Sequence, residues 1–216
     1  VLHYNNENHT LGTPYSGQTL GEIWGFVVDG FFESDEEAAN YIVDQTYVNS
    51  IINTSVVDNG LHAGDLKFAD MDGKLVNGRP VIEPTTSAKD IKDMVVIGNS
   101  LPRYTYTLRM SASWMGFDLS MLFNGVGRQH WYPGKDTGLF WGPYGRPAQT
   151  YVPSDFLEKV WREDNPDSYF PRPRSFIALS SSNDRALAAV NNRYLQNVGY
   201  FRLKNLTFGY TLPQKL

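Results

Sequence analysis

The sequence predicts an all-β protein built from antiparallel strands. Its 216 residues are 14% aromatic and include 19 Gly and 12 Pro, a composition rich in rings and turn-forming residues. Two amphipathic segments with strand periodicity are joined by a very tight turn, and long connections alternate with short ones along the chain. Together these three observations favour strands over helices.

Composition argues against several classes of function. The net charge of -4 gives no basic surface for nucleic acid, so we expect no nucleic-acid partner. The chain has no cysteine, which removes disulfides and thiolate metal sites. Its histidines are scattered and fit no catalytic motif, so we do not expect an enzyme; they are His3, His9, His62 and His130.

The most regular pattern is RYTYTLRMSASWMGFDLSMLFNGVG, residues 103–127. Apolar side chains occupy every second position from Tyr104 to Trp114, and the alternation resumes at Phe117 after Gly116. The pattern predicts two long strands with one apolar and one polar face. For Arg109 we expect pairing with Asp118 on the next strand, and the alternative is that Arg109 tunes the electrostatics of an aqueous lumen. The predicted polar face consists of Thr105, Thr107, Arg109, Ser111, Ser113, Asp118, Ser120 and Asn124.

Two further strands are predicted at a distance from this hairpin. IWGFVVDGFF, from Ile23 to Phe32, is a run of aromatic and β-branched residues that predicts one strand. RYLQNVGYFRLKNLTFGYTLP, residues 193–213, predicts another. Its apolar phase flips near Lys204, and we therefore expect a bulge at Lys204 or Asn205.

Long connections, approximately residues 33–102 and 128–193, separate these strands. Both far exceed the usual few residues between elements, which indicates functional loops or inserted structure. Each contains a signal for a short helix. Ser34 and Glu37 form a capping box, and Ser154 is expected to cap a helix in SDFLEKVW.

Periodicity alone leaves two environments open for the apolar face. In a transmembrane β-barrel, periplasmic turns are short, extracellular loops are long, and each strand needs about 9 to 11 residues to cross the bilayer. A soluble secreted β-sandwich that binds polysaccharide would show the same alternation over a buried face. The pattern does not choose between lipid and a protein core.

Four phrases in sequence order resemble a known family. They are GDLKFADMDGK, DMVVIGNSLPRYTYTLRMSASWMGFDLSMLFNGVG, WREDNPDSYFPRP and RYLQNVGYFRLKNLTFGYTLP. In this order they resemble the C-terminal part of the SusC/RagA family of TonB-dependent outer-membrane transporters, over Gly64 to Pro213. The chain departs from the family pattern at NGVGRQHWY, where a glycine pair is usual, and at Thr107, where Gly is usual.

The resemblance implies an antiparallel transmembrane β-barrel of about 22 strands in the bacterial outer membrane, plugged by an N-terminal domain. It also implies import of glycans or peptides delivered by a SusD-like surface lipoprotein, with energy from TonB. Four strands cannot close a barrel, for which about eight are needed. We therefore expect residues 1–216 to be part of one barrel domain, with extracellular loops that carry short helices.

The same interpretation predicts a topology. Ile23 to Phe32 and Phe117 to Gly125 would run outward, Tyr104 to Met115 and Leu195 to Leu212 would run inward, and WMGF would be a periplasmic turn. Lipid acyl chains would contact Tyr106, Leu108, Met110, Phe117, Leu119 and Met121. The interfaces would lie near Tyr104, Trp114 and Phe123.

The segment HWYPGKDTGLFWGPYGRP is rich in rings and in basic residues such as Lys135. Exposed rings stack on sugar or peptide faces while polar neighbours fix orientation. This predicts contacts to substrate or to the partner lipoprotein by Trp131, Tyr132, Phe140, Trp141, Tyr144 and Arg146. The alternative places Trp131 and Tyr132 in the interfacial aromatic girdle and packs the other rings beneath the loop.

DMDG, residues 70–73, begins like a calcium loop because alternate carboxylates can converge on one hard cation. The remaining EF-hand positions fail at Lys74, Leu75 and Val81. The candidate ligands of a structural Ca²⁺ are Asp70, Asp72, Asp90 and Asp93, and a plain Asx turn is the alternative. No other cofactor is expected.

Overall fold

The structure, a computed structural model, describes residues 5–49, 60–134, 137–144, 151–173, 187 and 189–213. Its strands are β1 (Glu22–Phe26), β2 (Val28–Phe31), β3 (Leu66–Phe68), β4 (Leu75–Val76), β5 (Arg79–Pro80), β6 (Met94–Asn99), β7 (Tyr104–Trp114), β8 (Phe117–Gly127), β9 (His130–Trp131), β10 (Gln196–Asn197) and β11 (Tyr200–Tyr210). Its helices are α1 (Asp35–Ala39), α2 (Thr46–Asn49) and α3 (Gly138–Trp141), with 3₁₀ turns at Gly142–Tyr144 and Phe156–Glu158. None of these helices has the length and apolar character needed to cross a membrane.

Strands β7, β8 and β11 form a three-stranded antiparallel sheet with β8 at its centre. Each strand is 11 residues long, and Trp114 pairs with Phe117 across a two-residue turn. The turn residues Met115 and Gly116 have φ of 47° and 85°, the two positive values that let a hairpin turn follow the twist of its strands. The predicted tight hairpin is confirmed.

A bulge in β11 restores the apolar phase of that strand. Leu203 pairs with Phe123 and Asn205 pairs with Leu122, so that Lys204 is an extra residue without a partner on β8. Before the bulge the apolar residues are at odd positions, and after it they are at even positions. The predicted bulge is confirmed, and it keeps every apolar side chain of β11 on one face of the sheet.

The segment Ile23 to Phe32 is not one strand. It divides into β1, which pairs with β6, and β2, which pairs with β3. The division has a nonlocal cause, because residues 190–192 pair with the chain at this point. Phe26 N–H donates to Val190 O at 2.8 Å, and Asn192 N–H donates to Phe26 O at 3.1 Å. The Asn192 side chain then accepts from Val28 N–H at 2.8 Å.

The two long connections share one hydrophobic core. Its residues come from 26–82 and 141–194, and we call the described structure packed around them the loop unit. Neither β1 nor β2 pairs with the three-stranded sheet. The core consists of Phe26, Val48, Leu66, Phe68, Ile82, Trp141, Tyr144, Val160, Phe170, Leu187, Ala189 and Tyr194.

One of the two predicted helix caps is present. Ser34 Oγ accepts from Glu37 N–H at 3.1 Å, and the Glu37 carboxylate accepts from Glu33 N–H at 2.7 Å. The cap predicted at Ser154 was wrong. The helix there is the 3₁₀ turn Phe156–Glu158, which is preceded by Asp155 and has no side-chain cap.

Gly64 makes a close contact between distant parts of the loop unit. It has φ of 83°, and a Cβ at this position would overlap the Trp161 ring. Gly64 N–H donates to Phe32 O at 2.8 Å, and Gly64 O accepts from Arg172 N–H at 2.9 Å. Because Gly64 has no side chain, the Trp161 ring can lie against its backbone while that backbone hydrogen-bonds to the segments of Phe32 and Arg172.

Gly64→Ala is expected to destabilise the loop unit by about 1 to 3 kcal/mol more than Gly73→Ala does. Gly73 is a matched control because it also has a positive φ, 65°, but nothing lies within 4 Å of its added Cβ. Native-state hydrogen exchange of loop-unit amides measures both free energies of opening. Equal protection in the two variants would contradict the role given to Trp161.

Glu37 also makes an ion pair that should depend on pH. Lys67 Nζ lies 2.9 Å from Glu37 Oε1, and this hydrogen bond holds the pKa of Glu37 below its ordinary value of 4.5. A depressed pKa contributes stability that is present above about pH 4.5 and lost as pH falls through the lowered pKa.

Glu37→Gln should therefore increase amide exchange in α1 at neutral pH, and the difference from the unchanged protein should disappear in more acidic solution. Glu36→Gln is the control, because Glu36 lies on the same helix and is exposed. A difference that persists after full protonation would show that the ion pair is not its cause.

Candidate functional site

The three-stranded sheet presents a continuous apolar face. On β7 the exposed fractions of Leu108 and Met110 are 49% and 46%, and on β11 Phe208 reaches 68%. Rings and aliphatic side chains from all three strands lie side by side on this face, which is far more than the scattered exposed residues of an ordinary soluble surface. The face consists of Tyr104, Tyr106, Leu108, Met110, Ala112, Trp114, Phe117, Leu119, Met121, Phe123, Phe201, Leu203, Leu206, Phe208 and Tyr210.

Aromatic side chains occupy the two ends of this face and aliphatic side chains its middle. At the turn end the Phe117 and Tyr210 ring centroids are 4.5 Å apart, and at the loop-unit end those of Phe123 and Phe201 are 5.2 Å apart. Tyr106 belongs to the second group, 5.9 Å from Phe201. The three middle rows contain two aromatic side chains, Phe208 and Phe123, and seven aliphatic ones, which we call the aliphatic middle: Leu108, Met110, Ala112, Leu119, Met121, Leu203 and Leu206.

The dimensions of the face match a bilayer. Eleven residues in a strand make ten steps, which at about 3.4 Å each give a length of about 34 Å. At the tilt of about 40° that is typical of membrane barrels, this projects to about 26 Å. The apolar band of such barrels is about 25 Å tall. Aromatic ends around an aliphatic middle are the pattern that two interfaces impose on a lipid-facing surface.

Tyr106 also fills a gap on the neighbouring strand. Gly125 lies directly opposite Tyr106, and a Cβ on Gly125 would overlap the tyrosine ring. The ring therefore crosses β8 at Gly125, which with Gly127 is one of two positions on the apolar face where that strand has no side chain.

The opposite face of the sheet is mainly polar, as predicted, and its apolar members are Leu122, Val126 and the Tyr200 ring. Thr107, Asn124 and Arg202 form one row across the three strands, and Asn124 Nδ2 donates to Thr107 Oγ1 at 3.4 Å. The predicted pairing of Arg109 with Asp118 was wrong. Arg109 lies opposite Leu122, while Asp118 lies opposite Ser113 and accepts a hydrogen bond from its hydroxyl at 2.7 Å.

Two residues of the ring-rich segment lie in the core of the loop unit. Trp141 is 0% exposed, and its indole N–H donates to Gly134 O at 3.1 Å. Tyr144 is 3% exposed and donates its hydroxyl to Pro171 O at 2.5 Å. Neither ring has a face turned to the surface.

The other predicted contact residues differ in exposure. Tyr132 donates to Ala189 O at 3.0 Å, and burial raises the pKa of its hydroxyl. Phe140 packs edge-on against Trp141 with ring centroids 4.9 Å apart. Trp131, in the short ladder of β9 with β10, is 44% exposed and presents its ring to the surface. Arg146 and Lys135 lie outside the described residues.

Three of the four predicted calcium ligands come together. One carboxylate oxygen from each of Asp70, Asp72 and Asp93 lies within 4.8 Å of the other two, whereas Asp90 is exposed and outside this group. Asp93 is buried, which raises the pKa of its carboxyl, and its oxygens accept from Met71 and Glu83 N–H at 2.7 Å each.

The other two carboxylates of this group also have backbone partners. Asp70 accepts from Gly73 N–H and Asp72 from Lys74 N–H, each at 2.8 Å. Both bonds are side chain to backbone links of the Asx-turn kind. The Asx turns are therefore present, and the three carboxylates also lie close together.

The loop unit also contains a polar cavity of about 540 Å³ that sequence reasoning did not predict. Its walls come from segments far apart in the chain, so no local pattern marks it; the Gly64–Trp161 contact lies beside it. Carboxylates and guanidinium groups both line it. The lining residues are Glu33, Ser34, Asp35, Ala63, Trp161, Arg162, Glu163 and Arg172.

The chain is similar to TonB-dependent receptor P3 of Formosa agariphila. The two are 24% identical over 199 residues, which cover 92% of this chain and 16% of that receptor. The chain therefore spans about one sixth of the length of the relative that it matches. No protein-family model matches the chain.

The calcium hypothesis has a direct test in the protein. If the group binds Ca²⁺, adding Ca²⁺ should raise the unfolding temperature, because an ion that binds the folded state stabilises it by mass action. Asp72→Asn should remove the shift, while Asp90→Asn, which changes a carboxylate outside the group, should keep it. An unfolding temperature unchanged by Ca²⁺ would leave the Asx turns as the whole role of DMDG.

Proposed function

We propose that this chain is part of an outer-membrane importer of the TonB-dependent class. The observation that carries the proposal is the three-stranded sheet, which has 11-residue strands, an exposed apolar face and a polar face opposite. A membrane barrel needs this division, since one face of each strand meets lipid and the other an aqueous interior. Similarity to a TonB-dependent receptor over 92% of the chain supports the same class.

The alternative is a soluble secreted β-sandwich that binds polysaccharide. A sandwich buries its apolar face against a second sheet about 10 Å away. Within the described residues, the core of the loop unit is formed by other elements, and the apolar face of β7 and β11 remains exposed. The arrangement of aromatic ends and aliphatic middle also favours lipid over a protein core.

More particularly, we propose an importer of the SusC/RagA kind that works with a SusD-like surface lipoprotein and takes up glycans or peptides. The support is the resemblance of four sequence phrases in order, GDLKFADMDGK to RYLQNVGYFRLKNLTFGYTLP. TonB would act on parts of the protein that lie outside this chain. The mechanism would be gated passage without bond-making, and the chain would have no catalytic residue.

The proposal gives the chain an orientation in the membrane. The two-residue turn at Met115 and Gly116 would face the periplasm, and the loop unit would lie outside the cell. Trp131 would be the member of the ring-rich segment able to contact substrate or lipoprotein, since it is the exposed one among the five proposed contact rings, all of which the structure describes.

Introducing a charge on each face of β8 tests the proposal. Met121→Arg should impair assembly of the full-length protein in the outer membrane, at a cost of about 2 to 4 kcal/mol near mid-bilayer. Ser120→Arg is the matched control, because it makes the same residue at the neighbouring position, which lies on the opposite face. The amount of heat-modifiable protein in outer-membrane fractions measures assembly.

Assembly of both variants at the level of the unchanged protein would contradict contact with lipid. Loss of assembly in both, together with a soluble protein that folds without detergent, would support the sandwich instead.

A further inference from the structure

The charges on the polar face are unevenly distributed. Arg202 and Arg109 lie in adjacent rows near the loop unit, whereas Asp118 lies in the last row before the turn. Along β8, Asp118 is four residues from the partner of Arg109 and six from the partner of Arg202. At about 3.4 Å per residue these separations are about 14 and 20 Å, too far for an ion pair.

Arg202 is held in position by its neighbours. Its guanidinium lies 4.8 Å from the centroid of the Tyr200 ring, and the Tyr200 hydroxyl donates to Asn124 Oδ1 at 3.4 Å. Stacking on a ring orients a guanidinium while its N–H edge stays free for a planar oxyanion such as a carboxylate. Among the ion pairs within the described part of the chain, neither Arg202 nor Arg109 takes part.

The rest of the face favours a ligand with many hydroxyl groups. Between the arginines and Asp118, Ser111, Ser120 and Thr207 form one row across the three strands. Hydroxyl side chains both donate and accept, which suits the hydroxyls of a sugar. Apart from Leu122, Val126 and the Tyr200 ring, this face offers little apolar surface to the side chains of a peptide.

We propose that the polar face binds an oligosaccharide bearing carboxylate groups, with Arg202 as the principal contact and Arg109 as a second. This inference rests on the proposed function, which places the face toward the barrel interior. The row of Arg202 lies nearer to the loop unit than the row of Arg109, so a substrate that passes the loop unit would meet Arg202 before Arg109. The inference assigns a substrate class to the importer, namely acidic glycans.

Binding of two defined probes to the purified full-length protein tests this assignment. Tetragalacturonate carries carboxylates, and maltotetraose is a neutral oligosaccharide of the same number of residues. Titration calorimetry should give tighter binding of tetragalacturonate, with an affinity that falls as salt is added. Arg202→Gln should weaken that binding about tenfold and leave maltotetraose unchanged.

Further variants separate charge from geometry. Arg202→Lys keeps the charge but loses the planar fork, and it should weaken tetragalacturonate binding about threefold. Tyr200→Leu should have a similar effect because it removes the ring that orients Arg202. Asp118→Asn is the control, since it changes a charge on the same face about 20 Å away, and it should not weaken the acidic probe.

Equal binding of both probes by the unchanged protein, or an equal loss from Arg202→Gln and Asp118→Asn, would overturn the inference. Heat-modifiability of each variant confirms that it is assembled. A protein that assembles and imports but shows no preference for the acidic probe refutes this inference and leaves the proposed function standing. Failure of the proposed function would appear separately, in the comparison of Met121→Arg with Ser120→Arg.

Discussion

The register of β8 against its two neighbours is the constraint on which the rest of the structure depends. Because side chains alternate between faces, a shift of one residue would move every apolar side chain of a strand to the polar face. Two local devices hold the register: the turn at Met115 and Gly116 fixes β7 against β8, and the extra residue Lys204 brings β11 back into phase. The separation of the sheet into an apolar and a polar face, on which both proposals rest, follows from this turn and this bulge.

The loop unit is built by a different principle. Its strands are short, and its stability comes from a core to which both long connections contribute. Residues 190–192 pair with the break between β1 and β2, and the chain then continues into β11. The segment that closes the loop unit is therefore also the segment that leads into the sheet. A displacement within this unit would be passed to β11 through few intervening residues.

Features with a local cause were predicted from the sequence. The hairpin, its turn, the bulge at Lys204 and the cap at Ser34 each depend on residues within a few positions of one another. The cap at Ser154 failed although its signal is local. Asp155 and Phe156 continue a series of turns there, and the Asp155 carboxylate pairs with Lys159 Nζ at 2.6 Å.

Features with a distant cause were not predicted. The break in Ile23 to Phe32 depends on residues more than 150 positions away, which no local pattern reveals. Rings such as Trp141 and Tyr144 could serve equally for binding or for packing, and burial alone separates the two uses. The polar cavity likewise forms where separate segments meet. The carboxylate group of Asp70, Asp72 and Asp93 is an exception, because it also joins separate segments and yet the prediction named all three residues, together with Asp90, which lies outside the group.

The contact of Tyr106 with Gly125 has a consequence for how this sheet can evolve. The ring occupies the volume that a side chain at Gly125 would need, so the two positions share one space. A larger residue at 125 demands a smaller one at 106, and a small residue at 106 leaves a groove that lipid chains must fill. Among relatives with this hairpin, a larger side chain at position 125 should therefore occur together with a smaller one at position 106, while neighbouring positions vary independently of this pair.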